Sequence, residues 1–229
     1  AWRAILRPDR SWISRGAISI VIFTGAAILY IVLGRLGLLG WLGLADGAFG
    51  RGLLWLVQLL AVVFAMVVMV YHGFAIADSS AISFWNTGMM PVSSFSYSFF
   101  AGLVVTMNLD PRAGAEAVGM MPPIHSAALI ALVLTIVILA AMLQAANRGA
   151  PGARMSLRLL LREGPYVKAF YGLVVLAGLV LPLVLLLAQP SRIGDLLLAL
   201  GVLAGYYTFR SLVFKVGLYD PIISFAPES

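Results

Sequence analysis

The chain has 229 residues, of which 62% are hydrophobic and 10% are charged, and its mean hydropathy is +1.03. Soluble proteins carry about 25% charged residues, so this composition excludes a water-soluble fold and predicts a surface in contact with lipid. The absence of cysteine excludes disulfides, thiolate metal sites and a cysteine nucleophile in this chain. The net charge of +6 lies in short loops between apolar runs, a pattern typical of membrane topology and not of nucleic-acid binding.

Six apolar segments are long enough to cross a bilayer, which takes about 20 helical residues. They predict an all-α, polytopic transmembrane helix bundle with spans over residues 16–33, 52–77, 92–107, 124–146, 169–188 and 193–214. No long polar linker interrupts these spans, so residues 1–229 are expected to form a single transmembrane domain. Residues 1–15 are too polar for a signal-peptide core, and the leading alanine is expected to reflect processing or an incomplete start.

Three of the spans carry residues that predict special packing. Serines crowd the first two turns of the third span: Ser93, Ser94, Ser96 and Ser98. Because hydroxyls in a membrane bond within their helix or to a neighbour, this span is expected to face protein or a polar cavity. Pro182 removes a backbone donor from the fifth span and is expected to kink it. In the sixth span, Gly201 and Gly205 have the small-xxx-small spacing that favours close helix packing.

Basic residues are unevenly divided between the two membrane faces that six spans define. Eleven lie on the face that holds both termini: Arg3, Arg7, Arg10, Arg15, Arg148, Arg154, Arg158, Arg162, Lys168, Arg210 and Lys215. Four lie on the opposite face: Arg35, Arg51, Arg112 and Arg192. By the positive-inside rule this division predicts that both termini are cytoplasmic. The basic loop from Arg148 to Lys168 is expected to meet a partner subunit or acidic lipid.

The end of the second span carries ionisable groups that a bilayer normally excludes. His72 and Asp78 lie within or beside this segment, and Trp85 and Asn86 follow closely. Ionisable residues in a membrane are costly and indicate function by default, so we interpret these four residues as the rim of a pocket. The alternative is that His72 and Asp78 lie in water at the headgroup level, with Trp85 in the interfacial aromatic belt. Arg210, late in the sixth span, either extends to the interface or faces the bundle and binds a polar head.

The two histidines are too far apart in this topology to hold one haem. His72 lies near the cytoplasmic end of the second span and His125 begins the fourth span at the opposite face, so a bilayer of roughly 30 Å separates them. We therefore expect no haem. We also expect no metal bound by this chain, because the sequence contains neither an HExxH helix nor a paired-carboxylate motif. A nucleophile elbow and a Walker loop are absent from the sequence as well.

Three sequence islands carry a resemblance to a known family. They are PDRSWISRG at residues 8–16, YHG at 71–73 followed by FWNTGMMP at 84–91, and RSLVFKVGLY at 210–219. In this order they resemble the NrfD/polysulfide reductase (PsrC-like) family of integral membrane subunits. Members of that family commonly have eight or more spans, and this chain opens at what resembles their third span. Some quinone ligands are therefore expected outside these residues.

The resemblance implies a membrane anchor subunit in a bacterial inner membrane that binds menaquinone or ubiquinone. It implies two partners: a ferredoxin-like iron–sulfur subunit, and a molybdopterin catalytic subunit joined to it. The chain would then be a subunit outside the catalytic core, whose membrane site oxidises quinol or reduces quinone. Membrane lipid is its other expected neighbour, and nucleic acid is not an expected partner.

The predicted catalytic residues of that site are His72 and Asp78. Histidine alone titrates unperturbed near neutral pH, so His72 is the expected proton acceptor. Asp78 would pass the proton to water or hold the imidazole tautomer. If the helix continues that far, six residues turn it by about 600°, which offsets the two side chains by about 120°.

Five further residues are predicted to bind the quinone: Tyr71, Trp85, Asn86, Ser11 and Arg15. Asn86 is suited to donate to a ring oxygen, and Trp85 to pack on the ring. Arg15 either lies near the pocket, docks the partner subunit or anchors the chain at the membrane edge.

Two other functional classes stay open from the sequence. In a transporter or channel subunit, His72, Asp78 and the serines of the third span would line a proton or solute path. The sequence has no evident inverted repeat or broken-helix pair, which such transporters commonly show. In a purely structural anchor, the partner would perform all of the chemistry. Binding of a quinone analogue to the purified chain separates the quinone class from both.

Overall fold

The computed structural model describes residues 12–44, 47–109, 123–188 and 191–219, and these contain six helices long and apolar enough to cross a membrane. The six are Trp12–Arg35, Ala48–Ala77, Met89–Leu109, Ile124–Arg148, Val167–Leu187 and Arg192–Lys215. Each predicted span matches one of them to within four residues at either end. The described ranges contain no strand. The predicted all-α, polytopic transmembrane architecture is confirmed, and the chain is a multi-pass membrane protein.

The α-helices are numbered here in chain order. They are α1 (Trp12–Tyr30), α2 (Leu38–Trp41), α3 (Ala48–Ala77), α4 (Met89–Leu109), α5 (Pro123–Arg148), α6 (Pro151–Leu161), α7 (Val167–Ala169), α8 (Leu181–Leu187) and α9 (Arg192–Lys215). Two π-helical segments complete the spans: Ile31–Arg35 extends α1, and Phe170–Val180 joins α7 to α8. The first and fifth spans therefore change their winding on the way across the membrane.

The chain forms two compact units, Ala1–Ala75 and Ile76–Ser229. The described core of the first unit is small and consists of Ala26, Leu33, Leu39 and Val57. Large apolar side chains cover much of α3, where Trp55 is 72% exposed and Leu56 is 63% exposed. Acyl chains solvate such a surface at little cost, whereas water does not. The expectation of one transmembrane domain over residues 1–229 stays a prediction.

The second unit is built around α4, which packs against α5 and α9. Tyr97, Phe100 and Val104 of α4 are fully buried. The same helix buries three of its serines: Ser93, Ser94 and Ser96. The prediction that this span faces protein is confirmed. Burial among other helices gives the hydroxyls partners that acyl chains lack.

The fifth and sixth spans cross at glycines. A Cβ on Gly205 would lie 2.5 Å from the Cα of Gly178 and 2.9 Å from the phenolic oxygen of Tyr97. A Cβ on Gly201 would lie 2.5 Å from the carbonyl oxygen of Ala177. The close packing predicted for Gly201 and Gly205 is confirmed, because only residues without a Cβ leave room for backbones this near.

Pro182 lies in the first turn of α8, directly after the π-helical segment. In π-helical winding each N–H bonds to the carbonyl five residues earlier, as the Leu181 N–H does to Leu176. The next donor in this register belongs to residue 182, where proline has none, and the chain returns to α-helical winding there. The proline thus marks a change of winding, and the kink itself stays a prediction.

The short helix α6 is amphipathic and has 11 residues, too few to cross a bilayer. One face is buried in the second unit: Gly152, Ala153, Ser156, Leu157 and Leu160. The other face exposes Arg154 and Arg158. Ser156 accepts a hydrogen bond of 3.3 Å from the Leu218 N–H, which ties α6 to the segment after α9. Such an arrangement is typical of a helix that lies along a membrane surface.

A methyl group added at the glycine crossing should destabilise the second unit. Gly205→Ala forces a Cβ against the Gly178 backbone, and we expect a loss of about 1–3 kcal/mol in the free energy of unfolding. The matched control is Gly102→Ala on α4, where a Cβ meets nothing within 4 Å. Unfolding by SDS in mild detergent, followed by circular dichroism, measures both. A Gly205→Ala variant as stable as wild type would contradict the crossing.

Candidate functional site

The residues predicted for a quinone site are divided between the two units. Three belong to the first unit: Arg15, Tyr71 and His72. Three belong to the second unit: Asp78, Trp85 and Asn86. Ser11 lies outside the described residues. Each unit therefore has its own group of candidate side chains.

In the first unit, the ring of Tyr71 packs directly on Gly16 of α1, where any Cβ would overlap the ring. Trp12 stacks on Phe74 with ring centroids 4.6 Å apart and planes 10° from parallel. The guanidinium of Arg15 lies 4.7 Å from the centre of the Trp12 ring, a cation–π distance. Contacts between α1 and α3 thus hold Tyr71 in place, with an exposed positive charge beside an aromatic pair.

His72 is half-buried and lies five residues before the end of α3. Its imidazole meets the Tyr71 ring edge-on, with centroids 6.0 Å apart and an interplanar angle of 79°. At about 1.5 Å of rise per residue, His72 lies about 7.5 Å from the helix end. This shallow depth suits proton exchange with the aqueous side, while the Nε2 atom of the imidazole is itself shielded from solvent.

In the second unit, Trp85 is docked on the end of α9. Its indole N–H donates a hydrogen bond of 2.8 Å to the Val213 carbonyl, and its ring meets Phe214 edge-on at 5.8 Å. Gly217 makes room for the indole, because a Cβ there would lie 2.5 Å from the ring. Trp85 is therefore held by protein on its polar edge, and it fixes the segment between α3 and α4 to α9.

Asp78 and Asn86 are both exposed and lie near the two ends of the segment that connects α3 to α4. Because α3 ends at Ala77, Asp78 is one residue past the helix, and the helical offset calculated from the sequence does not extend to it. The Asp78 side chain is therefore accessible to water.

A polar network joins α4 to α9 one turn before the Trp85 contact. Arg210 donates through Nη2 to the Ser94 hydroxyl at 2.8 Å and to the Tyr206 phenolic oxygen at 2.6 Å. Its Nε donates to the same phenol at 3.1 Å. The Tyr206 and Ser98 hydroxyls are 2.7 Å apart and share a hydrogen bond in which either oxygen can be the donor. Ser94, Ser98, Tyr206 and Arg210 form what we call the Arg210 network.

The Arg210 network holds a positive charge inside a membrane-spanning helix. Arg210 is half-buried, about 7.5 Å from the end of α9, and faces α4. Among the described residues, no carboxylate lies within 4.0 Å of its guanidinium. The contacts within the described ranges use Nε and Nη2, so the two Nη1 donors are available to a ligand or to water. A positive charge so placed indicates a functional role.

Other polar groups of α4 are directed toward α5. The Ser96 and Thr135 hydroxyls are 2.8 Å apart, and Thr135 donates to the Ala131 carbonyl at 2.7 Å. An apolar groove of 370 Å³ lies along the same side of α4, lined mainly by aromatic and aliphatic side chains such as Phe95 and Phe99. Helix α4 therefore presents the Arg210 network toward α9 and an apolar groove toward α5.

The opposite end of the second unit contains fewer interacting polar side chains. His125 is buried, and its Nε2 lies 3.9 Å from Oδ1 of Asp195, which is too long for a hydrogen bond. Asn108 donates to the Asp195 backbone carbonyl at 2.9 Å. In the ranges that the structure describes, no three His, Asp or Glu side chains group as metal ligands do.

Comparison of the chain with family models, curated proteins and solved structures finds no match. The class of multi-pass α-helical membrane protein therefore rests on the fold itself. The resemblance to the NrfD/polysulfide reductase family stays a prediction. Two of its sequence islands do meet in space, since Trp85 contacts Val213 and Phe214.

Inspection of the sequence singled out Arg210 and the serines but missed Tyr206 and Thr135. A signal was present, because Ser94 and Ser98 are four residues apart, as are Tyr206 and Arg210. Residues at that spacing share one helix face, so each span carries a stripe of polar side chains, whereas a face in contact with lipid carries apolar ones. Two such stripes in neighbouring spans predict a contact between them.

Removing the indole donor should loosen the docked segment. Trp85→Phe keeps an aromatic ring beside Phe214 but loses the N–H that Val213 accepts, and we expect a loss of about 1 kcal/mol in stability. Trp55→Phe is the matched control, because Trp55 is 72% exposed. Thermal unfolding in detergent compares the two variants. A Trp85→Phe variant that unfolds together with the control would contradict the structural role of the indole.

Proposed function

We propose that this chain is the quinone- or quinol-binding membrane anchor of a respiratory oxidoreductase complex in a bacterial inner membrane. In this proposal it exchanges electrons between the quinone pool and a ferredoxin-like iron–sulfur subunit joined to a molybdopterin catalytic subunit. Both termini are cytoplasmic, which the uneven division of basic residues supports. The observation that carries the proposal is the Arg210 network beside the docked Trp85.

The Arg210 network fits the chemistry of a quinone head. A quinone ring has two carbonyl oxygens that accept hydrogen bonds, and Arg210 offers N–H donors and a positive charge in a half-buried position. Tyr206 and Ser94 accept hydrogen bonds from the guanidinium, and Ser98 bonds to Tyr206. Arg210 is thus held in one orientation, so little rotamer freedom is lost on binding. Trp85 adds an aromatic surface one turn further along α9.

The apolar groove between α4 and α5 supports the proposal at a second point. Its volume of 370 Å³ and its apolar lining suit a flexible hydrocarbon chain such as an isoprenoid tail. Helix α4 carries the groove and half of the Arg210 network, so a head and a tail would both contact this helix.

Quinone, when bound, supplies two-electron, two-proton chemistry. We assign His72 as the proton acceptor and Asp78 as the carboxylate that returns protons to water. The shallow depth of His72 and the exposure of Asp78 support these roles. Four further residues are proposed to bind or orient the ring: Ser11, Arg15, Tyr71 and Asn86.

Loss of the Arg210 charge should weaken quinone binding. Arg210→Met removes the donors and the charge but keeps the length of the side chain. We therefore expect a quinone analogue to bind the purified chain at least tenfold more weakly, which corresponds to a loss of about 1.4 kcal/mol in binding free energy. Tyr206→Phe should weaken binding by a smaller factor, since it removes one support of the guanidinium. Titration of the analogue in detergent, followed by quenching of tryptophan fluorescence, measures both effects.

The matched control is Lys215→Met, which removes a positive charge from the end of the same helix outside the network. Equal binding by wild type, Arg210→Met and Lys215→Met would overturn the assignment of the site. A wild-type chain that binds no quinone analogue but conducts protons in vesicles would favour the transporter class.

His72→Ala should separate the quinone reaction from the chemistry of the partner subunits. We expect quinol-linked turnover of the intact complex to fall by about 100-fold, since a positioned proton acceptor is removed. Activity with an artificial electron donor should not change, because that donor bypasses the membrane site. His125→Ala serves as the control for loss of an imidazole. Unchanged quinol-linked turnover of the His72 variant would refute the assigned role.

A further inference from the structure

A basic cavity lies between the last turns of α5 and the exposed face of α6. Its volume is 350 Å³, within the range of about 300–1,000 Å³ that is typical of ligand pockets. Three guanidinium groups and one amide supply its polar lining: Arg154, Arg158, Arg162 and Asn147. Leucines such as Leu143 and Leu157 supply its apolar lining. The cavity therefore combines a concentrated positive charge with an apolar wall of leucine side chains.

The three arginines of this cavity reinforce one another's charge. They follow at intervals of four residues, so Arg154 and Arg158 share one face of α6, and Arg162 is the residue directly after the helix. Like charges at this spacing destabilise a helix unless an anion compensates them. Among the described residues, no carboxylate lies within 4.0 Å of any of the three, although Glu163 is adjacent in sequence. The cavity is thus electrostatically suited to an anion.

The position of α6 fixes the depth of the cavity. Only Gly149 and Ala150 separate α6 from α5, so the cavity lies at the end of a membrane-spanning helix, where headgroups are found. The Ser156 hydroxyl is fully buried and bonds to the Leu218 N–H. This bond and the buried face of α6 hold the arginines at a fixed height in the unit.

We propose that this cavity binds the phosphate headgroup of an anionic phospholipid from the adjoining leaflet. Guanidinium groups pair with phosphate oxygens in two-pronged contacts, and three of them suit a headgroup with more than one negative charge. The leucine wall contacts the first carbons of the acyl chains, a contact that an acidic protein loop or a free phosphate ion does not need. The proposal is independent of the quinone site, because none of its residues belongs to the Arg210 network.

The test compares two double variants of the full chain in detergent. Arg154→Gln with Arg158→Gln removes two charges from the cavity, whereas Arg148→Gln with Lys168→Gln removes two charges from the same basic segment outside it. Native mass spectrometry counts retained lipid after incubation with phosphatidylglycerol, diphosphatidylglycerol or phosphatidylcholine. We expect the wild type to retain the anionic lipids selectively, with about tenfold weaker retention in the cavity variant and little change in the control variant. All four positions are exposed, and circular dichroism verifies that each variant is folded.

Several results would overturn the proposal. Equal losses in both double variants would mean that lipid responds to net charge and not to the cavity. Inorganic phosphate that displaces the anionic lipid from the wild type at millimolar concentration would identify a free-anion site. A cavity variant that keeps its anionic lipid but no longer co-purifies with an acidic protein would identify a subunit interface.

Arg158→Lys, which keeps the charge but loses the two-pronged geometry, should retain lipid at an intermediate level.

Discussion

The hydrocarbon interior of a bilayer offers no hydrogen-bond partners, and this constraint determines the organisation of the chain. Backbone groups meet it by forming helices, and side chains meet it by pairing across helices. The constraint explains why the serines of α4 are turned toward protein, where Ser94 receives a donor from Arg210 and Ser96 pairs with Thr135. It also explains why the half-buried indole of Trp85 gives its N–H to a carbonyl at the end of α9. The polar interactions of the second unit thus follow from the same requirement.

The course of the spans could be predicted from the sequence because the length of an apolar run is a local property. Runs of about 20 apolar residues have no stable alternative to a membrane helix, so the predicted ends differ from the observed ends by at most four residues. The winding of the fifth span could not be predicted in this way. Its π-helical segment includes Gly178, which approaches Gly205 of α9, and the sequence pattern of the span does not distinguish π-helical from α-helical winding.

The candidate site was predictable by residue type and by its polar stripes, but the individual hydrogen-bonded pairs were not. Trp85 and Arg210 each stand out because they are unusual in or near a membrane segment, yet their partners Val213 and Ser94 lie more than 100 residues away in sequence, at separations of 128 and 116 residues. Which face of α9 meets α4 is decided by helix rotation, which depends on many weak packing contacts. Residues 84–91 and residues 210–219, which belong to two of the three segments that carry the family resemblance, are in contact.

The π-helical winding of the fifth span leaves one main-chain carbonyl oxygen without its helical N–H donor, and this oxygen faces the neighbouring helix α9. In that register the N–H for the Ala177 oxygen belongs to residue 182, which is proline. The same oxygen lies so close to Gly201 that a Cβ there would approach it to 2.5 Å. The bare Cα of Gly201 can therefore offer its weakly polar hydrogens in place of the missing amide. The absent donor of one helix and the absent side chain of the other are therefore complementary at this crossing.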